Sequence, residues 1–239
     1  MRSLQVILKM LLRRFILILK ILVVISTKLI GQDNSYDRLL AEHDQNIGLE
    51  HLGIISGPEY SQAFFARSSH PFYNSSNWVI SGLNVNGKHY PEVLIKYDCF
   101  QDQLVIGVMK ETGATPVVVK KELVAHFSIN QLDFTYLELT ESGYEGYLGQ
   151  LFDGLNLSLY LKVGKDDEID ERSNSLEYVP FEKYLLLWGS ELIELKGKGS
   201  ILSLFPEKKT EIKSYIKKER LDLKYKEDLK KLVAFCDSI

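Results

Sequence analysis

The stretch 78–100, WVISGLNVNGKHYPEVLIKYDCF, contains the clearest hairpin signal in the chain and points to its fold. Asn86-Gly87 is a dipeptide favoured in two-residue type I′ turns, where both central residues need a positive φ. We expect strands at 78–85 and 88–99. Pro91 cannot donate a ladder hydrogen bond, so this part of the second strand is expected at a sheet edge or at a β-bulge.

A second hairpin is indicated at 143–163, GYEGYLGQLFDGLNLSLYLKV, with its turn at Asp153-Gly154. After that turn, leucines at alternate positions 155–161 are interleaved with Asn156, Ser158 and Tyr160. This alternation predicts a strand with one buried face. Further short β-rich runs, bounded by turn residues, are LVIGVMK, PVVVKK, LVAHFSI, FTYLELT, LEYVPFEKYLLLW and ELIELK.

About ten strands with such short connections must pair antiparallel, because a parallel return needs about a dozen or more residues. We therefore expect an α+β, mainly β domain built on a curved antiparallel meander sheet, either barrel-like or a sandwich. The domain boundaries follow the composition: a leader at 1–31, a polar lead-in at 32–50, the β domain at 51–199 and helices at 200–239.

The tail predicts a pair of helices that pack on the same domain. Ser200 suits an N-cap, and Pro206 suits the first position of a new helix. Two apolar stripes at helical spacing are expected to be buried, and their members are Ile212, Tyr215, Ile216, Tyr225, Leu229, Leu232, Val233 and Cys236. The many lysines are interpreted as a solvated outer face, with a docking surface for an acidic partner as the alternative.

The first 31 residues predict a secretory signal peptide. Four basic residues precede an apolar run at 15–26, which is shorter than the roughly 20 residues that a transmembrane helix needs. We expect cleavage after Gly31, with Gln32 as the new N-terminus and no stable membrane span after cleavage. The protein would then be periplasmic, associated with the outer membrane or extracellular. The alternatives are an uncleaved anchor in the inner membrane and a mitochondrial presequence.

Removal of this leader changes the charge of the chain. The leader holds six of the 29 basic residues and none of the 32 acidic ones, so the mature chain has 23 basic and 32 acidic residues and a net charge of −9. Such a surface repels phosphate backbones, so we expect neither nucleic acid nor an anionic lipid face as a partner.

Cys99 and Cys236 are the two cysteines of the chain. In an exported protein they could form a disulfide, which would stabilise the fold by about 4–5 kcal/mol in the chain-entropy model. The alternative is two separate buried thiols. Neither neighbourhood in sequence supplies the positive charge that makes a thiolate reactive.

Two segments resemble known catalytic or metal-binding motifs, but each lacks a residue that the motif requires. ETGATPVVV at 111–119 has Glu111 where an aspartic protease needs aspartate, and no second copy of the loop exists. DDEIDERSNSLE at 166–177 has Glu171 where a calcium loop needs glycine, and is interpreted as a charged hairpin loop. The histidines share no ligand spacing. We therefore expect no cofactor, no metal and no catalytic residue identifiable from the sequence.

Aromatic residues crowd the segment before the first hairpin: Tyr60, Phe64, Phe65, Phe72, Tyr73 and Trp78. In a β protein they usually fill the core or form cross-strand pairs. The alternative is an aromatic platform for a sugar or a peptide.

Three stretches, 84–106, 143–162 and 205–239, resemble an uncharacterised group of exported proteins from Bacteroidota-type Gram-negative bacteria. The resemblance covers roughly residues 50–239 and consists of the hairpins and the paired-helix tail. It implies a periplasmic or surface location and no established activity, so no functional residues are transferred from it.

We expect a non-enzymatic envelope protein that binds or scaffolds an envelope protein, a peptide or a glycan. The alternative is an envelope hydrolase whose site is assembled from residues that are distant in sequence.

Overall fold

Residues 57–110 and 113–239 are described by the structure, which is a computed structural model. The signal peptide, its cleavage point at Gly31 and Gln32, and the polar lead-in lie outside the described residues. No helix among the described residues is both long enough and apolar enough to cross a bilayer.

The hairpin at 78–100 forms as its sequence predicts. β1 (Val79–Val85) and β2 (Lys88–Asp98) pair antiparallel around Asn86-Gly87, whose φ angles of 50° and 78° are both positive. The register shifts between Ser81 and Leu83, where β2 has one extra residue and contains Pro91. The proline thus lies at a β-bulge, as expected of a residue without an N–H donor.

Ten antiparallel strands of the described chain form one sheet. The remaining eight are β3 (Gln103–Lys110), β4 (Gly113–Val118), β5 (Val124–Ile129), β6 (Leu132–Leu139), β7 (Tyr144–Asp153), β8 (Leu157–Asp170), β9 (Ser175–Trp188) and β10 (Glu191–Glu194). Their order is β10-β9-β8-β7-β6-β5-β1-β2-β3-β4. The mainly β, α+β class is confirmed. The meander is interrupted once, because β5 returns to pair with β1 instead of β4, and within the described residues the end strands do not join to close the sheet.

β8 shows the predicted alternation, with two corrections. Leu157, Leu159 and Leu161 are buried on one face, but Leu155 lies in the preceding turn and is 96% exposed. Tyr160 was expected on the solvent side and is instead buried on the opposite face against Leu148. Both faces of the sheet are therefore covered by side chains along β7–β9.

Three α-helices of the described chain follow the sheet: α1 (Lys198–Leu204), α2 (Lys209–Lys218) and α3 (Lys226–Asp237). A 3₁₀ turn begins at Pro206 and leads into α2, as the proline predicts. Ser200 is not an N-cap, because α1 already begins at Lys198 and the Ser200 hydroxyl accepts the N–H of Lys196 instead. Tyr225 precedes α3 and is exposed, whereas the other four members of its predicted stripe are buried.

Two hydrophobic clusters hold the fold together. The larger lies on one face of the sheet and contains aromatic rings in contact with one another, including Tyr97, Phe127, Phe134 and Tyr147. The second forms where α1, α2 and α3 pack on the start of β8 and the end of β9. At this cluster Tyr215 of α2 stacks on Phe235 of α3 with ring centroids 3.9 Å apart.

The segment 57–73, here called the strap, crosses from one end of the sheet order to the other. It bridges the edge strand β4 through Glu59 and Val117, and it pairs with the end of β2 through Phe72 and Asp98. Between these points Phe64 stacks on Tyr178 of β9, with 4.0 Å between ring centroids. The strap therefore links strands that the open sheet leaves apart.

A buried carboxylate fixes the middle of the strap. Glu177 on β9 accepts hydrogen bonds from the backbone N–H groups of Arg67 and Ser68 and from the hydroxyls of Ser69 and Ser175. The segment 166–177 is thus not simply a charged loop. Residues 166–170 belong to β8 and Glu177 to β9, and a four-residue turn separates the two strands.

Candidate functional site

The strap, Trp78 and the outer face of β2–β4 border an open aromatic cleft of about 460 Å³. Its lining combines four aromatic, three aliphatic and two neutral polar residues with one cation: Tyr60, Phe65, Phe72 and Trp78; Val105, Ala114 and Pro116; Ser61 and Gln62; and Lys96. Pockets of about 300–1,000 Å³ that combine apolar walls with a few polar groups are typical small-ligand sites. This aromatic cleft is the candidate functional site.

Strand alternation places the floor of the aromatic cleft on the face opposite the core. On β2, the side chains of Ile95 and Tyr97 point into the main cluster, so Lys96 points outward. The register aligns Lys96 with Val105 of β3, and Val105 with Val118 of β4. The strap then forms the wall, since the N–H of Tyr60 donates to the carbonyl of Pro116 at 2.9 Å.

Gly107 lets the Trp78 ring lie close to this floor. A Cβ at Gly107 would lie 3.4 Å from Cη2 of Trp78 and 3.1 Å from Cβ of Leu94. The distance to Leu94 is tighter than most real Cβ contacts, whereas the distance to Trp78 is an ordinary contact. A side chain at Gly107 would therefore crowd Leu94 on the neighbouring strand and lie in van der Waals contact with the Trp78 ring, although the backbone φ of Gly107 is an ordinary strand value.

Lys96 brings a positive charge into the aromatic cleft. Its Nζ lies 4.3 Å from the ring centroid of Trp78 and 4.9 Å from that of Phe72, within cation–π range of both. Burial lowers the pKa of the Lys96 ammonium below its ordinary value. Among residues 57–110 and 113–239 no carboxylate forms a salt bridge with it.

Phe65 is the most exposed aromatic side chain at the aromatic cleft, with 93% of its surface open to solvent. The apolar surface continues along the sheet, because the register aligns the exposed Ile80 with Leu94, and Leu94 with Gly107. A single exposed apolar side chain is common on protein surfaces, whereas a contiguous exposed apolar surface with polar residues around it is typical of a binding site.

Asp98 anchors the cleft wall from behind. It is fully buried, and its Oδ2 accepts the Tyr60 hydroxyl at 2.7 Å while Oδ1 accepts the N–H groups of Phe100 and Gln101. Burial, followed by the hydrogen bond to Asp98, raises the pKa of Tyr60. Tyr60 is thus a neutral donor that holds the strap in place.

No family model matches the chain, no curated protein matches it, and no solved structure matches it.

A second cleft, of about 500 Å³, lies between β9, β10 and the helices. Its lining mixes both signs of charge: Glu182, Lys183, Glu194, Lys196, Lys198, Asp222 and Lys224. It contains one aromatic residue, Tyr184, among the described lining residues. This composition lacks the single dominant chemistry that the aromatic cleft has.

The densest group of titratable side chains surrounds Asp102, in the turn between β2 and β3. Asp102 Oδ2 lies 3.1 Å from Nζ of Lys121, and Oδ1 lies 3.4 Å from Nζ of Lys162 and 2.5 Å from the hydroxyl of Tyr97. Burial alone raises the pKa of Asp102, but Lys162, the Tyr97 hydrogen bond and Lys121 together lower it. Burial lowers the pKa of Lys162 more than Asp102 raises it.

This group has a structural role at a split in the sheet. β7 and β8 pair only as far as Gly149 and Leu161, and beyond that point the two strands separate. There the Tyr147 N–H donates to Asp102 and the Tyr147 carbonyl accepts from Lys162, each at 3.4 Å. Asp102 and Lys162 thus supply the hydrogen bonds that the neighbouring strand no longer provides.

Cys99 does not have the properties of a nucleophile. Its thiol is buried and donates to the carbonyl of Pro71 at 3.3 Å, and burial raises its pKa to about 11. The nearby His70 has its pKa lowered by burial and then by Lys165, whose ammonium donates to the His70 carbonyl. A protonated thiol is a poor nucleophile.

Both cysteines are free thiols, and no disulfide joins them. Cys99 belongs to the main cluster and Cys236 to the cluster beneath the helices. Within the described part of the chain, no three His, Cys, Asp or Glu side chains come together as a metal site.

Proposed function

We propose that this protein is an exported, non-enzymatic binding module whose ligand occupies the aromatic cleft. The observation that carries the proposal is the cleft itself: four aromatic side chains and one lysine gathered by the strap on the outer face of a rigid sheet. The densest titratable group, around Asp102, supports binding over hydrolysis because its hydrogen bonds are used by the backbone of Tyr147.

The test uses Trp78 as a built-in reporter of the aromatic cleft. The chain has two tryptophans, and Trp188 stacks on Phe205 on another part of the sheet, so Trp188→Phe leaves Trp78 as the sole indole. The neutral probe 1-N-phenylnaphthylamine is titrated into this variant. We expect saturable energy transfer from Trp78 to the probe.

A matched pair of substitutions locates the binding. Phe65→Ser removes an exposed apolar side chain at the aromatic cleft, and Leu155→Ser removes an equally exposed one from the β7–β8 turn. Both are made in the Trp188→Phe background. We expect Phe65→Ser to weaken probe binding and Leu155→Ser to leave it unchanged. Equal effects, or no saturable transfer at all, would refute a binding role for the aromatic cleft.

The exported location is proposed from the leader sequence and from the resemblance to exported proteins. Cell fractionation with N-terminal sequencing tests it, and we expect mature protein that begins at Gln32 and leaves the envelope in soluble form. An intact Met1 in the membrane pellet would instead support the N-terminal anchor.

A further inference from the structure

The aromatic cleft contains a charge that its own lining does not neutralise. Lys96 is its single cation, and no acidic residue is among its described lining residues. The two aromatic faces beside Nζ attract the ammonium, but each such contact provides only about 0.5–2 kcal/mol. An incoming anion would form a shorter and stronger charge-assisted hydrogen bond.

The carboxylates of Asp98 and Asp102, which are close to Lys96 in sequence, form hydrogen bonds or ion pairs with other residues. The oxygens of Asp98, behind Tyr60, accept four hydrogen bonds within the protein, from Tyr60, Phe100 and Gln101. Asp102 faces two other lysines. Among the described residues no carboxylate forms a salt bridge with Lys96, whose ammonium contacts only the rings of Phe72 and Trp78.

Resting on the proposed function, we infer that the aromatic cleft takes a small carboxylic acid with an apolar body. Its carboxylate would pair with Lys96, and its body would contact Phe65 and Trp78. A single lysine is a point charge that matches a monoanion, whereas multiply charged phosphates usually require several cations or an arginine fork. The volume of about 460 Å³ fits a ligand of small-molecule size.

The experiment compares an acid with its neutral isostere. 3-Phenylpropanoate and 3-phenylpropanamide are each used to displace 1-N-phenylnaphthylamine from the Trp188→Phe protein. We expect the acid to displace the probe at a concentration about tenfold lower than the amide, as a charge-assisted hydrogen bond implies. Lys96→Met should abolish this preference while probe binding is retained, and Lys96→Arg should keep it.

The outcomes separate the two proposals. If acid and amide displace the probe equally, or if Lys96→Met keeps the preference, the carboxylate inference fails while the binding function stands. If the probe does not bind the parent protein, the proposed function fails. The acetylated peptide Gly-Gly-Phe with a free carboxyl end is the third ligand. Binding about tenfold tighter than that of 3-phenylpropanoate would assign the site to peptide ends and overturn the small-ligand inference.

Discussion

The backbone N–H of Tyr147 donates a hydrogen bond to Oδ1 of Asp102, 45 residues earlier in the chain. Asp102 lies in the β2–β3 turn, with a φ of 56°, and reaches β7 at the point where β8 separates from it. A Cβ on Gly146 would lie 2.2 Å from Oδ2 of Asp102, so the glycine makes room for this approach. A turn from one part of the sheet thus completes the hydrogen bonding of another.

Asp102→Asn is expected to lower the free energy of unfolding by about 2–3 kcal/mol, measured by urea denaturation. The substitution leaves Lys121 and Lys162 without their carboxylate, and loss of one partner of a buried pair is strongly destabilising. We expect a smaller loss than the roughly 3–5 kcal/mol typical of a fully buried ion pair, because the side chains of Asp102, Lys121 and Lys162 retain 16–26% exposure.

The matched control is Asp133→Asn on the exposed edge of the β5–β6 hairpin, where the carboxylate contacts the Ser128 hydroxyl. We expect Asp133→Asn to lower the free energy of unfolding by less than about 0.5 kcal/mol. If Asp102→Asn were as mild as Asp133→Asn, the structural role of the Asp102 group would be wrong.

We expect the attachment of the strap to β9 to weaken at low pH, because it depends on the ionised carboxylate of Glu177. Hydrogen bonds from the Ser69 hydroxyl and then from the Ser68 N–H lower its pKa from an ordinary 4.5 to about 2. A carboxyl whose pKa is lower in the folded state contributes stability above pH 4.5, and this contribution is lost as the pH falls towards 2. We expect Glu177→Gln to reduce stability at neutral pH and to flatten the acid limb of the stability–pH profile.

Glu168→Gln is the control for this profile, because Glu168 is the exposed cross-strand partner of Glu177 on β8. Protease cleavage within the strap, followed by mass spectrometry at neutral pH, gives the second readout. We expect faster cleavage in Glu177→Gln only. Equal acid limbs in the two variants would show that the strap is not held by Glu177.

The C-terminal helix clasps the β7–β8 turn through Asp237, whose carboxylate accepts the N–H groups of Leu155, Asn156 and Leu157 at 2.8–2.9 Å. A Cβ on Gly154 would lie 2.3 Å from Oδ2 of Asp237. We expect Gly154→Ala to destabilise the protein by about 1–3 kcal/mol, as overpacking does.

A double-mutant cycle with Asp237→Ala checks this clasp. If the steric conflict is with Asp237, the second substitution should reduce the additional cost of Gly154→Ala, although the Phe152 ring remains close to the same position. Strictly additive effects on the urea midpoint would contradict the clasp.

Thiol titration tests the state of the cysteines. Because Cys99 and Cys236 are buried and burial raises the pKa of each to about 11, we expect very slow reaction with a disulfide reagent in the native protein. Denaturation without reductant should release both thiols. Fewer than two reactive thiols per chain would indicate oxidation that the structure does not contain.

Local chemistry accounts for the part of the fold that the sequence predicts. Asn86-Gly87 places its turn, Pro91 its bulge and Pro206 the entry into the second helix, because each depends on neighbouring backbone geometry alone. The pairing of β5 with β1 and the covered face beneath Tyr160 depend on contacts between distant segments, which no local pattern reports.

The candidate site shows the same division. Aromatic crowding before the first hairpin is visible in the sequence and predicts side chains that fill the core. Phe72 is indeed buried, but Phe65 is exposed and Trp78 lines a cleft. The position of Lys96 in the aromatic cleft could not be predicted from the sequence. It depends on which face of β2 the side chain occupies and on the path of the strap across that face. A lone outward lysine on a strand is ordinary until a second segment covers it.

The strap also sets an order of events for a chain that emerges N-terminus first. Its anchoring partners Glu177 and Tyr178 lie more than 100 residues downstream, at separations of 108–114 positions from Phe64, Arg67 and Ser69. In a nascent chain, Phe64 cannot stack on Tyr178 until β9 has been synthesised. A product truncated before β9 would therefore lack the partners that hold the middle of the strap.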